Sequence, residues 1–386
     1  MKNKTIVFFV VVLIIMAVFF FFPKQTRKEE PPKEEPPQEL FSSYYKEALS
    51  LLENMTLEEK IGQLFLVRFD ENEIVLDLKE APPSGYVLFA KDLEKETKES
   101  LTTKLATYQQ ESSIPLIFAT DEEGGIVTRV SRFSSFRSER FKSVREYYLE
   151  GGIPRLLEIE QEKEALLKEL GINLNLAPVA DISTNENDYI YNRTLGENSE
   201  VVTEYIRQIA RYAYQNNYPI TLKHFPGYGG NLDTHNGISV DQRTKEELQE
   251  NSLPPFQAGI EEKVPLIMVS HNIISAYDSN NPASLSKEVH EKLREMGFTG
   301  LILTDDLAME AIQDSLNGEK EAVKAFQAGN DLIMTSSYQT DKQDLKEAVE
   351  NGTITESEID ETVKRVLAFK YQYQIITKRE LNEQPS

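Results

Sequence analysis

Apolar residues in this chain gather in short unbroken runs between residues 61 and 336. They read IGQLFLVRF (61–69), SGYVLF (84–89), IPLIFATD (114–121), INLNLAPVAD (172–181), YPITLKHF (218–225), VPLIMVSHN (264–272), GLILTDDL (300–307) and NDLIMTS (330–336). Continuous runs, unlike alternating ones, suit strands covered on both faces. Between them apolar residues recur at three- and four-residue spacing, as in Val201 to Gln215 and Ser286 to Met296, which is the helical period. Eight strand candidates separated by helices predict an α/β fold, a parallel (β/α)8 barrel of the TIM type over 41–375. A doubly wound open sheet is the alternative. Thr355 to Tyr373 reads as a closing helix and 376–386 as a frayed tail.

The N-terminal segment follows another pattern. Ile6 to Phe22 is apolar throughout, with Lys2 and Lys4 before it and Pro23, Lys24, Arg27 and Lys28 after it. A bilayer core is crossed by roughly 17–25 apolar residues in a helix, and this run meets the lower limit. No small-residue cleavage site follows. Residues 1–23 are therefore expected to form a single-pass transmembrane anchor; a cleaved signal is the other reading. Lysine and arginine flank both ends, so charge does not orient the helix. A very short N-terminal side before a long domain favours an extracytoplasmic domain at the cell membrane. The segment 24–40, with EEPPKEEPPQE at 29–39, denies regular hydrogen-bond ladders and reads as an extended linker.

Composition narrows the chemistry. The chain has 386 residues, a formal net charge of −22 and no cysteine. An acidic surface lacks the basic footprint that nucleic acid requires. Without cysteine there are no disulfides, thiolate metal sites or cysteine nucleophiles. With four histidines, a multi-histidine metal site would consume nearly all of them.

Ionisable residues concentrate at the ends of the predicted strands. The third run ends in Asp121, the fifth in Lys223 and His224, the sixth in His271 and Asn272, and the seventh reaches Asp305 and Asp306. In a barrel these positions converge on one rim, where loops build active sites. One aspartate at a strand end is more often a helix cap, and a buried histidine is usually a core residue; the convergence carries the signal. The loops add the glycine pair of DEEGGIVTRV (121–130), Arg193 in NRTLGENSE as an available fork donor, and KHFPGYGGNLDTHNG (223–237). In the last, Asp233 and His235 sit one residue apart, a spacing that lets a carboxylate orient an imidazole for proton transfer. Such a rim suits retaining glycoside cleavage, with Asp305 as nucleophile and Asp121, Arg193, Lys223 and His224 around the sugar. Metal-dependent hydrolysis is the competing chemistry, with Asp121, His224, His235, His271 and Asp305 as conceivable ligands.

These residues match a known pattern. EKIGQLFLVRF (59–69), DEEGGIVTRV, NLAPVADI, KHFPGYGGNLDTH, MVSHN, PASLS (282–286), LREMGFTGLILTDDLAMEAI (293–312) and AGNDLIM (328–334) appear in the order and spacing of glycoside hydrolase family 3. The chain resembles that family's single-barrel β-N-acetylglucosaminidases from about Glu58 to Leu367. The resemblance implies that Asp305 is the nucleophile and that Asp233 and His235 form the acid–base dyad. It implies that Asp121, Arg129, Arg193, Lys223 and His224 hold the non-reducing sugar, without cofactor or metal. The sequence departs from the pattern at Tyr228, often His, at Ile126, often Arg, and after Arg193, where Thr-Leu follows.

The expected function is a retaining β-N-acetylhexosaminidase releasing terminal N-acetylglucosamine from glycans, peptidoglycan fragments above all. The expected partners are that glycan and, through the N-terminal helix, a membrane, with a monomer favoured. The alternatives are another family 3 β-glycosidase, an N-acetylglucosaminide phosphorylase, or a catalytically silent carbohydrate-binding barrel at the cell surface.

Overall fold

The computed structural model describes residues 39–231, 237–309, 312 and 319–377. The apolar run Ile6 to Phe22, the linker to residue 38, Asp233 and His235, and the tail beyond 377 lie outside the described residues. Among the described residues no helix is long and apolar enough to cross a membrane.

All eight expected runs contain strands: β1 (Phe65–Arg68), β2 (Gly85–Leu88), β3 (Ile117–Thr120), β4 (Leu174–Asn175), β5 (Thr221–Phe225), β6 (Leu266–Val269), β7 (Leu301–Thr304) and β8 (Ile333–Thr335). One sheet runs β8-β1-β2-β3-β4 and a second β5-β6-β7, every pairing parallel. Single bridges Asn175–Ile220 and Val179–Lys223 join β4 to β5, and Leu303–Leu332 joins β7 to β8. The strands therefore close into a (β/α)8-type ring in chain order, not an open doubly wound sheet. Beyond it a short parallel pair, Val240–Asp241 with Ile273–Ile274, ties together the loops that follow β5 and β6.

The helices form where caps and periodicity agree. In Ser199–Gln215 the side chain of Asn198 accepts from the Val201 N–H, and Val202, Tyr205, Ile206, Ile209, Ala210 and Ala213 make the buried stripe. Glu356–Gln372 starts with a capping box between Thr355 and Glu358 and buries Ile359, Val363, Val366, Leu367 and Phe369. After this helix the Ile375 and Ile376 N–H groups donate to Lys370 O, and both side chains are buried. Ile375 lies within the expected barrel, and Ile376, the first residue of the expected tail, is buried beside it.

The amino ends of the strands are sealed by polar side chains. Lys370, fully buried, donates from Nζ to Gln63 Oε1 at 2.7 Å and Pro115 O at 2.8 Å, under β1 and β3. Asp331, also buried, is held by Arg294 Nη2 at 2.7 Å and Arg365 Nε at 2.8 Å, and accepts the Ile302 N–H at 2.8 Å. Stability chemistry sits at this end, leaving the carboxyl ends of the strands for the site.

Candidate active site

At the carboxyl ends of the strands lies a cavity of about 460 Å³, a size typical of small-ligand sites. Asp121, Arg129, Arg193, Lys223, His224 and Asp305 all line it, whereas His271 and Asn272, expected on the same rim, do not. Asp233 and His235 belong to residues outside the description.

The loop after β3 is shaped by Glu122. Its fully buried carboxylate accepts from the N–H groups of Arg129 at 3.0 Å and Val130 at 2.8 Å, from the Ser131 N–H at 3.3 Å, and from the Ser131 hydroxyl. Gly124, at φ +107°, approaches Lys142 O so closely that an added Cβ would stand 2.4 Å from it. The loop is thereby folded back, with Asp121 at its start and Arg129 at its end facing each other at 3.4 Å.

Four charges then interlock. Lys223 Nζ, 2% exposed, lies 2.7 Å from Asp121 Oδ1 and 2.6 Å from Glu123 Oε1. Arg193 grips Glu123 with Nε at 3.0 Å and Nη2 at 2.7 Å. Burial alone would raise the pKa of Glu123, but Arg193 and Lys223 outweigh it and hold the carboxyl far below its usual range. Burial likewise works against the Lys223 ammonium, and Asp121 and Glu123 more than restore it. The expectation that Arg193 is an available fork is corrected: Nε and Nη2 are committed to Glu123, a two-point grip that matches the guanidinium plane.

His224 has a defined tautomer. Its Nε2 lies 3.1 Å from Arg193 Nη2, which can only donate, so Nε2 accepts and Nδ1 carries the hydrogen. Nδ1 donates to Asp181 Oδ2 at 2.6 Å, an oxygen that also accepts the His224 N–H at 3.1 Å. The other oxygen of Asp181 accepts the Tyr228 N–H at 2.6 Å. Tyr228 stands edge-on to the His224 ring, with centroids 5.7 Å apart, and leans on Tyr189 at the same separation.

Asp305 follows β7. Its N–H donates to Val269 O at 3.2 Å and its Oδ1 accepts the Asp306 N–H at 2.8 Å, which fixes the carboxylate at the cavity wall. His271 is not part of that wall: Nε2 donates to Asp306 O at 2.9 Å and Nδ1 accepts from Ser284 Oγ at 2.7 Å, fully buried. Its place is to hold the segment behind Asp305, and among the described residues no group of three or more His, Asp and Glu side chains could hold a metal ion.

Sequence reasoning passed over Arg68, Glu123 and Asp181. Asp181 ends the fourth strand run and Arg68 lies one residue before the end of the first, so the strand-end rule that selected Asp121 reaches both. Glu123, two residues into a loop, carries no such mark.

The family model described as the glycosyl hydrolase family 3 N-terminal domain matches residues 56–369. Beta-hexosaminidase A of Pseudoalteromonas piscicida is 28% identical over 316 residues, which are 74% of this chain and 53% of that protein; the chain spans about half the length of this relative. A beta-hexosaminidase of Stenotrophomonas maltophilia is 31% identical over 65% of this chain and 75% of its own length. Among solved structures, a family 3 beta-N-acetylglucosaminidase from Paenibacillus sp. superposes with a TM-score of 0.76 at 28% identity, covering 85% of this chain and 67% of that one.

Proposed function

The chain belongs to glycosyl hydrolase family 3, and on that premise we propose that it is a retaining β-N-acetylhexosaminidase that removes terminal β-linked N-acetylglucosamine, with peptidoglycan fragments as its substrate. The observation that carries this reading is the cavity lined by Asp305, Asp121, Arg193, Lys223 and His224, with Glu123 pairing Arg193 and Lys223 behind its wall. That set offers donors and acceptors on a rigid wall, as recognition of a pyranose edge requires. The names of the similar proteins, beta-hexosaminidases and a beta-N-acetylglucosaminidase, support the N-acetyl sugar over a plain glucoside.

In the proposed mechanism Asp305 attacks the anomeric carbon while His235, oriented by Asp233, protonates the departing oxygen. A glycosyl ester on Asp305 results. His235 then takes a proton from water, which attacks the same carbon and restores the β configuration. Asp121, Arg129, Arg193 and Lys223 hold the sugar hydroxyls, and His224, its two ring nitrogens engaged by Asp181 and Arg193, positions Arg193 among them. As part of the same proposal, the apolar run Ile6 to Phe22 anchors the enzyme in the cell membrane with the barrel outside the cytoplasm.

The test is turnover of chromogenic β-glycosides by the full-length chain in detergent. The N-acetyl-β-glucosaminide should be cleaved far faster than the β-glucoside. Equal or faster glucoside cleavage, or no cleavage of either, would reject the assignment.

A further inference from the structure

The cavity holds four permanent cations, three of which are answered by carboxylates: Lys223 by Asp121 and Glu123, Arg193 by Glu123, and Arg129, loosely, by Asp121. Arg68 is not. It ends β1 and lines the cavity, with no carboxylate at ion-pairing distance among the described residues and with its Nε buried and without a hydrogen-bond partner. Asp92 feels its charge, but burial pushes that carboxyl up and its Oδ2 is taken by the Phe89 N–H at 2.8 Å.

Aromatic stacking holds this guanidinium in place. Arg68 Cζ lies over the Phe89 ring at 4.4 Å and Arg129 Cζ over the same ring at 5.3 Å, and the Arg129 Nε is likewise buried without a partner. A stacked arginine has already lost much of its rotamer freedom, and its planar donors suit a carboxylate. With Nε buried against the protein, the terminal nitrogens are the part of the Arg68 guanidinium that a ligand in the cavity would meet.

The ring order says which part of a substrate would arrive there. The hydroxyl-binding set comes from β3, β4 and β5 and their loops, and the nucleophile from β7, whereas β1 stands opposite β5 in a ring closed in chain order. A sugar gripped on the β3–β5 side, with its anomeric carbon at Asp305, directs what lies beyond that carbon toward β8, β1 and β2. We propose that Arg68, stacked on Phe89, forms a subsite for a carboxylate on the leaving sugar, such as the lactyl carboxylate of a muramic acid unit. This rests on the hexosaminidase reading above.

The experiment compares three substrates of the full-length chain in detergent: N-acetylglucosaminyl-β-1,4-N-acetylmuramic acid, its lactyl methyl ester, and the 4-nitrophenyl N-acetyl-β-glucosaminide. A charge-assisted contact of this kind is worth about tenfold or more in kcat/KM, so the acid should exceed the ester by that factor. Arg68→Gln should bring the acid-to-ester ratio close to one, and Arg68→Lys should leave an intermediate ratio. The aryl glycoside reports whether each variant retains a working centre. A ratio unchanged in Arg68→Gln, or a fall on the aryl glycoside as large as on the acid, would overturn the subsite. Glycosyl phosphate formed from added inorganic phosphate, and lost in Arg68→Gln, would also overturn it by making the anion an acceptor. Failure of the unmodified enzyme on all three would instead reject the hexosaminidase reading.

Discussion

At the scale of single residues, the proposed roles of Asp305 and His235 separate cleanly because they act on different atoms. Asp305→Ala removes the nucleophile, so nearly all turnover should vanish whatever the leaving group. His235→Ala removes a proton donor that an activated aryl leaving group hardly needs, so the glycosyl-enzyme should form and then linger. Stopped-flow assay should show a burst followed by slow turnover, and azide should restore turnover with a β-glycosyl azide as product. An α-azide, or normal turnover in His235→Ala on every substrate, would show the assignment to be mistaken. Asp181 invites a second test. Its two oxygens accept from the His224 N–H, His224 Nδ1–H and Tyr228 N–H. An amide cannot accept all three, since either orientation points an NH₂ at a donor. Asp181→Asn should therefore lose about 1–3 kcal/mol of site organisation. It should raise KM for the sugar and change the imidazole nitrogen shifts that report the His224 tautomer; unaltered shifts with unaltered KM would refute that positioning role.

At the scale of elements, the loop after β3 depends on one carboxylate. Glu122→Ala would leave three backbone N–H groups, two of them buried, and the Ser131 hydroxyl without their acceptor. A loss of about 3 kcal/mol or more is expected, and with it the placement of Arg129. Urea denaturation together with kcat/KM measures both, and a variant of normal stability and activity would contradict the account. The strands were legible because burial on both faces forces unbroken apolar runs, as in LILT (301–304). The rim was legible where ionisable residues end those runs, as at Asp121 and Lys223. Glu122 and Glu123 were not, because adjacent acidic residues in a loop look alike until the backbone turns one inward to the loop's own amides and the other toward Arg193 and Lys223. Asp181 carries the strand-end mark, but its role was not legible: its partner His224 is distant in sequence and meets it only because β4 and β5 are neighbours in the ring.

At the scale of the whole molecule, the apolar run Ile6 to Phe22 and the barrel make separate demands. Deleting Met1 to Thr26 should move the protein from the membrane fraction to the soluble one with activity retained; intact full-length protein found soluble would reject the anchor. For the barrel, Lys370 offers a measurement in which the sign is fixed in advance. Burial alone lowers its pKa well below the usual value, so the folded protein holds the amine neutral where the unfolded chain, at roughly 10.4, still binds a proton. Between the lowered folded value and that pH unfolding takes up a proton, so in that window this residue's contribution to stability falls as pH falls and recovers as pH rises toward about 10. Lys370→Met removes the titration but leaves Gln63 Oε1 and Pro115 O without their donor. The informative quantity is thus not either stability alone but their difference. Buried tyrosines such as Tyr205 and Tyr218 are common to both proteins and cancel in it. Urea titrations at about pH 7 and pH 9.5 should show the native protein gaining on the variant by up to about 1.4 kcal/mol per pH unit. A difference that stays level, or moves the other way, would mean that Lys370 keeps its proton in the fold and that its two carbonyl contacts suffice to hold a buried ammonium.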